Sequence, residues 1–561
     1  MIWKFWPTYL LQQEIGEGAL RDVEEILPLV DTGGGSLFFD STKASLVKLI
    51  AATAPEDYFK NRENLSKCLN FLSPDAFDGL QDALGLKKRE LSPKAISSIV
   101  KCIGASSENY HTFCQLFDIP TRFQIETSKK PPSKITISGP TKTCPVEIFK
   151  PYKVLKHYQA DIFHRATREL EAPMSRLILQ MPTGSGKTRT AMEVIAEHFR
   201  SAVTPNSNKP RRVIWLANSK ELCEQSIACF AEVWEHVGTH EVEVHRVWGG
   251  HNALKQTNFD GEYQFLVASF QTLWPLLESA DQEFLEIFEQ TTLLVVDEAH
   301  IAVADTYAKT IREITRVSHC KILGLTATPG RTNESEVGVL ADLFQNKMVG
   351  LRDPSNVWEN SIKYLRSIDV LSTVEYEPLI VDSDVGFTKK EVEALVSQFE
   401  YSESILKKIG GSKARSAEIL SRLSVDLSTG SSIILFAPSL ENSKFLASML
   451  IFLGYDAAHV DGATSPASRD YFISKFLQKD VQVLCNYGVL TTGFDAPKTD
   501  VVCIARPTKS PVLYSQMIGR GLRGPAVGGT KNCKIIEVRD NFMNQGTQDD
   551  LYEYFDDYWI G

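Results

Sequence analysis

The chain has 561 residues, of which 43% are hydrophobic and 23% charged, with a mean hydropathy of -0.14. At roughly 100–200 residues per domain this is globular composition with room for three to five domains, and it excludes a wholly disordered or fibrous chain. Sixty Lys and Arg against 70 Asp and Glu leave a net charge of -10, so bulk charge does not draw the chain to a polyanion, and any nucleic acid must be held by a local groove.

The opening MIWKFWPTYLLQQE is apolar, but Pro7 and the polar Gln12, Gln13 and Glu14 interrupt it before any small-residue cleavage site. It is therefore expected to begin a folded domain rather than a signal peptide. No run approaches the roughly 20 apolar residues that a spanning helix needs, so the expectation is a cytoplasmic protein with no membrane partner. Asp31-Thr-Gly-Gly-Gly-Ser36 has the glycines of a phosphate loop but no following lysine, and reads as a turn. Ser73-Pro74 and Ser92-Pro93 each place a serine N-cap before a proline at the first helical position. Residues 1–125 are expected to form a small, mainly α-helical accessory domain. Paired prolines and polar residues between 126 and 150 break both periodicities and predict a linker.

From about residue 151 short β-branched runs alternate with helical patterns: Leu177–Met181, Val213–Ala217, Phe265–Ser269, Leu293–Val296 and Ile322–Thr326. That alternation predicts an α/β domain over 151–380 with a parallel sheet covered by helices. A second series, Ile433–Ala437, Val481–Asn486, Val501–Ala505 and Cys533–Val538, predicts another over 381–545, with a tail at 546–561. Residues 389–409 are helical in pattern and lead into it. The ten cysteines contain no Cys-x-x-Cys pair, so reduced, mostly buried thiols are expected. His240, His245 and His251 fit neither a helical metal pair nor a finger.

The strand Leu177–Met181 runs into Pro182-Thr183-Gly184-Ser185-Gly186-Lys187-Thr188 and then into a helical pattern. Small residues let backbone N–H groups wrap the phosphates, Lys187 neutralises their charge and the Thr188 hydroxyl can ligate Mg²⁺. About 110 residues on, the strand Leu293–Val296 ends in Asp297-Glu298-Ala299-His300. An acid at a buried strand tip can hold Mg²⁺ and its neighbour can position or deprotonate a water. The pair adds to a nucleotide binder what hydrolysis needs, so a nucleotide hydrolase is expected.

With these motifs the sequence resembles the superfamily 2 DEAH-type helicases and translocases, and the remaining segments fall in that family's order. Thr326-Ala327-Thr328-Pro329 resembles motif III, which implies that Thr326, Thr328 and His300 couple the nucleotide site to a nucleic-acid track. Gly488–Pro497 resembles motif V, implying nucleotide contacts from Gly493 and Asp495 and a nucleic-acid contact from Thr491. Gln516-Met-Ile-Gly519-Arg520-Gly-Leu-Arg523 resembles motif VI, with Gln516 in the catalytic set and Arg520 and Arg523 as arginine fingers. The resemblance implies two tandem RecA-like domains with ATP in the cleft between them. Gln159 stands where the family has a glutamine that pairs with the adenine edge; a surface glutamine of a helix is the alternative. Asn218-Ser219-Lys220, Ser269 with Gln271 and Thr272, and Pro438-Ser439 stand in the positions of motifs Ia, Ic and IV. Each could grip phosphates without reading sequence, and each equally fits a helix cap.

Motif VI lacks the His and Gly-Arg-Thr-Gly-Arg pattern of DEAD-box RNA helicases, and QMIGRGLRG with TTGFDAP is closer to the bacterial group of RadD-like repair helicases, restriction-enzyme (ResIII) motor subunits and UvrB-like proteins. The implied activity is an ATP- and Mg²⁺-dependent DNA helicase or translocase acting on single-stranded or duplex DNA without sequence preference, in DNA repair or anti-phage defence. A nuclease of its own is not evident, which makes a partner nuclease or other defence or repair protein, engaged through residues 1–125, the expectation. The alternatives are an ATP-switched nucleic-acid sensor or assembly factor for a partner effector, and an RNA helicase.

Overall fold

The computed structural model describes residues 1–31, 37–125, 134–137, 152–201, 211–248, 251–252, 261–278, 287–327, 334–351, 361–382, 385–392, 400–490, 496 and 498–540. The chain opens with α1 (Thr8–Ile15), α2 (Glu17–Ile26), α3 (Lys43–Thr53), α4 (Arg62–Leu69), α5 (Pro74–Ala83), α6 (Pro93–Ile103) and α7 (Ser107–Leu116). Ser73 Oγ accepts the N–H of Ala76 at 3.3 Å and Ser92 Oγ that of Ala95 at 3.4 Å, so both serine-proline helix starts form as the sequence predicts. Buried Trp3, Trp6, Phe59, Phe77, Phe113 and Phe123 fill the space between these helices.

The first α/β series comprises β1 (Lys134–Ile137), α8 (His157–Glu169), β2 (Arg176–Gln180), α9 (Lys187–Ser201), β3 (Arg211–Ala217), α10 (Lys220–Val237), β4 (Val242–Trp248), β5 (His251–Asn252), β6 (Tyr263–Ser269), α11 (Phe270–Glu278), β7 (Thr291–Val296), α12 (Asp305–Ser318), β8 (Lys321–Thr326), α13 (Glu334–Leu343), β9 (Met348–Gly350) and α14 (Ser361–Ser367). Its nine-stranded sheet has the order β1-β4-β6-β3-β7-β8-β2-β9, with β5 on β4. All pairings are parallel except those of β1 and β5 with β4. Every residue of β6 is buried, and so are the last four of β7, as expected of strands covered on both faces.

The second series comprises β10 (Thr373–Val381), α15 (Glu403–Gly410), α16 (Lys413–Ser428), β11 (Ile433–Phe436), α17 (Leu440–Leu453), β12 (Ala457–Val460), α18 (Pro466–Leu477), β13 (Val483–Asn486), β14 (Val501–Ile504), α19 (Pro511–Ile518) and β15 (Asn532–Asp540). Its six strands run in the order β10-β15-β14-β11-β13-β12, all parallel. The expected architecture of two parallel-sheet α/β domains preceded by a helical region is what the described residues adopt.

Three details differ from the sequence expectation. β10 pairs with β15 over nine residues, so the second domain begins before Thr373 and not at 381. Glu375 and Glu377 alternate with apolar residues in β10, as suits a sheet edge, and this pattern does not read as a buried strand. Within the expected linker, residues 134–137 add to the edge of the first sheet through β4. The helical pattern at 389–409 is interrupted before Ser402, whose Oγ caps α15 by accepting the N–H of Ile405 at 3.4 Å.

The helical region is joined to the second domain. Val23, Ile26, Leu27, Val30 and Leu49 share a core with Ile419, Leu420 and Leu423 of α16 and Leu446 and Leu450 of α17. Each such buried aliphatic side chain is worth roughly 1.5–3 kcal/mol, and Lys413 pairs with Asp22 at 3.0 Å beside them. Among the described residues no helix is long and apolar enough to cross a membrane.

Candidate nucleotide site and nucleic-acid face

Leu177, Ile178 and Leu179 of β2 are buried, and the chain leaves the sheet where the Met181 N–H bonds to the Thr326 carbonyl at 3.1 Å. Gly184 and Gly186 then take φ angles of 86° and 87°, a left-handed conformation that glycine adopts without a Cβ penalty. Ser185 Oγ donates to the Pro182 carbonyl at 2.7 Å, closing the loop ahead of α9. Lys187 and Thr188 open that helix, where free N–H groups and the helix dipole favour an anion. From outside, Tyr158 Oη and Gln159 Nε2 both donate to the Ser185 carbonyl, at 2.7 and 3.2 Å. Gln159 Oε1 accepts the Lys156 N–H at 2.9 Å. A Cβ on Gly186 would stand 2.3 Å from Gln159 Nε2. Gln159 therefore braces the loop, with each end of its carboxamide engaged by one backbone group and one N–H and one lone pair left over.

Across the sheet, the Asp297 N–H donates to the Leu216 carbonyl at 2.9 Å, which holds the acid at the tip of β7. Glu298 follows with φ 50°, an uncommon conformation for a residue with a Cβ that costs of order 1 kcal/mol or more. This turn brings Glu298 Oε1 to 3.5 Å from Lys187 Nζ. Asp297 is 3% exposed, and burial together with the neighbouring Glu298 charge pushes its carboxyl above the usual range. Burial also opposes the charge of Glu298, but Lys187, His300 and Arg520 together hold its carboxyl below its ordinary value. Asp297 and Glu298 are thus two adjacent buried acids, of which Glu298 is the one paired with cationic neighbours. The oxygen donors of the Asp297 carboxylate and the Thr188 hydroxyl are of the kind that would suit a hard divalent cation. His300 Nδ1 lies 3.3 Å from both Glu298 Oε2 and Thr326 Oγ1, which places the two expected coupling residues in contact. Thr328 lies outside the described residues, as do Thr491, Gly493 and Asp495.

The second domain reaches this site through the end of α19. Arg523 Nη1 donates to the Gly184 carbonyl at 3.0 Å. Arg520 turns its Nε back to the Gln516 carbonyl at 3.2 Å, and its charge acts on Glu298. Gly519 faces Thr183 so closely that a Cβ there would lie 2.3 Å from Thr183 Cγ2. Lys156 Nζ donates to the Ala526 carbonyl at 3.0 Å, and an ion pair joins Arg469 on α18 to Glu221 on α10. The two domains thus touch along the phosphate loop. Sequence reading did not single out Leu371, whose Cδ2 lies 3.2 Å from where a Cβ on Gly184 would be, or Tyr158 as a brace. Neither carries a motif signal, since both act through contacts distant in the chain.

The segments expected to touch nucleic acid divide into two kinds. Gln271 Nε2 donates to the Asn218 carbonyl at 3.3 Å, which brings the ends of β3 and β6 together, and Lys220 and Gln271 are exposed there. Ser269 Oγ and Thr272 Oγ1 bond to each other at 2.9 Å. Ser219 and Ser439 are helix caps: their Oγ atoms accept the N–H groups of Leu222 at 3.3 Å and Asn442 at 3.1 Å. Pro438 and Ser439 are buried, so the expected motif IV contact cannot come from their side chains as placed. Satisfying the orphan N–H groups of α17 takes the hydroxyl instead.

A family model described as type III restriction enzyme, res subunit, matches residues 152–331, and one for the helicase conserved C-terminal domain matches 415–524. The putative ATP-dependent helicase IRC3 of Saccharomyces cerevisiae is 25% identical over 400 residues, covering 68% of this chain and 51% of that protein. The putative ATP-dependent DNA helicase fml2 of Schizosaccharomyces pombe is 29% identical over 242 residues, 42% of this chain and 28% of its own length. The type I restriction enzyme EcoAI endonuclease subunit of Escherichia coli is 23% identical over 396 residues, 66% and 44% of the two chains. The match thus spans about half the length of the yeast relative. The glycine loop, the DEAH turn and the arginines after α19 all fall inside the two matched segments, so the chain carries a res-subunit segment and a helicase C-terminal segment and is similar to ATP-dependent helicases of that group.

Proposed function

We propose that the chain is an ATP- and Mg²⁺-dependent DNA helicase or translocase in which the two α/β domains open and close around each ATP. The observation that carries this reading is the bond from Arg523 of the second domain to the Gly184 carbonyl of the first, opposite the Lys187–Glu298 pair. Lys187 neutralises the terminal phosphates. Glu298, kept ionised by its cationic neighbours, positions the attacking water and takes its proton. Arg520 and Arg523 place positive charge where it develops during transfer. Mg²⁺, when bound, supplies further charge neutralisation at the phosphates from Thr188 and Asp297. Change at Glu298 passes to Thr326 through His300, and from there toward strand ends where Lys220 and Gln271 are exposed.

DNA is the favoured polymer because motif VI departs from the RNA-helicase pattern and because fml2 is described as a DNA helicase. A role in bacterial DNA repair or anti-phage defence, with a partner nuclease engaged through the helical region, extends the same reading, and the restriction-subunit family supports it. The test is ATP hydrolysis by the full chain alone and with single-stranded DNA, duplex DNA, forked DNA or duplex RNA at several salt concentrations. Stimulation by DNA that disappears in Lys187→Ala is the expected result. Stimulation by RNA alone, or none by any polymer, would overturn it.

A further inference from the structure

The segment between α14 and β10 carries the chain from the first domain to the second, and it is woven into the arginine loop. The Gly524 N–H bonds to the Val370 carbonyl at 2.9 Å and that of Ala526 to the Asp369 carbonyl at 2.8 Å. The Ser372 N–H bonds to the Leu522 carbonyl at 2.9 Å and that of Thr373 to the Lys531 carbonyl at 2.8 Å. Leu371 and Arg523 form an antiparallel bridge. Contact is close enough that a Cβ on Gly524 would lie 2.3 Å from the Asp369 carbonyl oxygen, and one on Gly529 1.8 Å from that of Arg523. On its other side the same segment presses Leu371 toward Gly184.

Ser372 stands at the centre of this weave with no exposed surface. Its Oγ donates to the carbonyls of Arg523 and Thr530, both at 2.7 Å. A serine hydroxyl has one proton to donate, so the two carbonyls share it, and the loop from 523 to 530 is tied at both ends to one buried atom. We propose that Ser372 is a positioning residue for ATP hydrolysis: by holding the Arg523 backbone, it sets the reach of the Arg523 guanidinium to the phosphate loop. Replacing it removes the side-chain tie at both ends of the arginine loop, where only the backbone bonds to the link then remain. A displacement of about 1 Å at a charge-stabilising group costs roughly 10²-fold in rate, while the phosphate-binding atoms of the first domain are left in place. The inference rests on the ATPase reading above and adds the means by which the interdomain link governs the arginine.

The test is a double-mutant cycle on the full chain with single-stranded DNA and radiolabelled ATP, so that slow turnover is still measured. Wild type, Ser372→Ala, Arg523→Ala and the double variant are compared for kcat and KM, with thermal melting of each. Ser372→Ala is expected to lower kcat by about 10²-fold with KM for ATP within about twofold. In the Arg523→Ala background it should lower kcat no further, because a group that acts through Arg523 has nothing left to position. Losses that multiply in the double variant, or a rise in KM at unchanged kcat, would overturn the proposal. Ser372→Cys, which keeps the volume with only a weak donor, carries the same cycle if the alanine variant does not fold. Wild-type protein without ATPase activity would instead overturn the reading on which this one rests.

Discussion

The two α/β domains contribute to one site by different means. In the first, every contributing group stands within a few residues of a strand tip: Lys187 after β2, Asp297 and Glu298 after β7, Thr326 at the end of β8. In the second, Arg523 is aimed by partners far away in the chain, donating to Gly184 at a separation of 339 residues and held by Ser372 at a separation of 151. The first half-site is therefore a property of local strand-loop-helix geometry, whereas the second exists only when the domains and their link are assembled. Damage to the first should abolish chemistry and leave the domains' contacts alone; damage to the second should spoil chemistry while leaving the first able to bind ATP.

The largest expected effect lies in the first domain. Lys187→Ala and Glu298→Gln should each lower DNA-stimulated hydrolysis by about 10³-fold or more, with Glu298→Gln retaining ATP in a filter-binding assay and Lys187→Ala losing it. Next, Arg523→Ala should lower kcat by about 10³-fold while nucleotide affinity at equilibrium stays near wild type; a matching loss of affinity would mean that the two half-sites are not separable. Gly519→Val comes third, because its side chain would collide with Thr183. It should hold the domains apart, seen as a larger radius of gyration in solution scattering, and lower kcat by about 10-fold.

Smaller effects sharpen the same contrast. Glu221→Arg or Arg469→Glu should each weaken the contact between α10 and α18, and the double exchange should restore it, by about threefold in hydrolysis and less at high salt, since the pair is partly exposed. At the strand ends, Lys220→Ala should reduce the salt slope of single-stranded DNA affinity by about 0.7. Ser439→Ala should leave that slope unchanged and cost about 1 kcal/mol of stability in urea denaturation. A change of slope for Ser439→Ala would return its hydroxyl to the nucleic-acid face.

What sequence reading recovered follows this division. The glycine loop, the acidic turn and the buried strands that carry them were legible because chemistry, turn and strand lie within about ten residues, where hydrophobic runs and glycine positions are direct signals. β10 was missed because an edge strand needs one dry face only, and its Glu375 and Glu377 break the apolar run. β12 was missed because its Ala-Ala-His-Val carries one β-branched residue, where β11 of the same length is an unbroken run of large apolar residues. Ser219 and Ser439 could be read as caps or as phosphate contacts because one hydroxyl suits both, and only the direction of the following helix decides.

By itself the sequence determined that this is an α/β protein with a glycine loop after one buried strand and an acid pair after another, since each of those is a local consequence of residue type and spacing. It also singled out Arg520 and Arg523. The tertiary structure decided what those arginines reach, that the helical region rides on the second domain through Val23, Ile26 and Leu49, and that Leu371 and Ser372 tie the interdomain link to Arg523. These depend on contacts between residues more than a hundred positions apart, whose register is set by packing and hydrogen bonding across the assembled chain and leaves no periodic trace in the residues themselves.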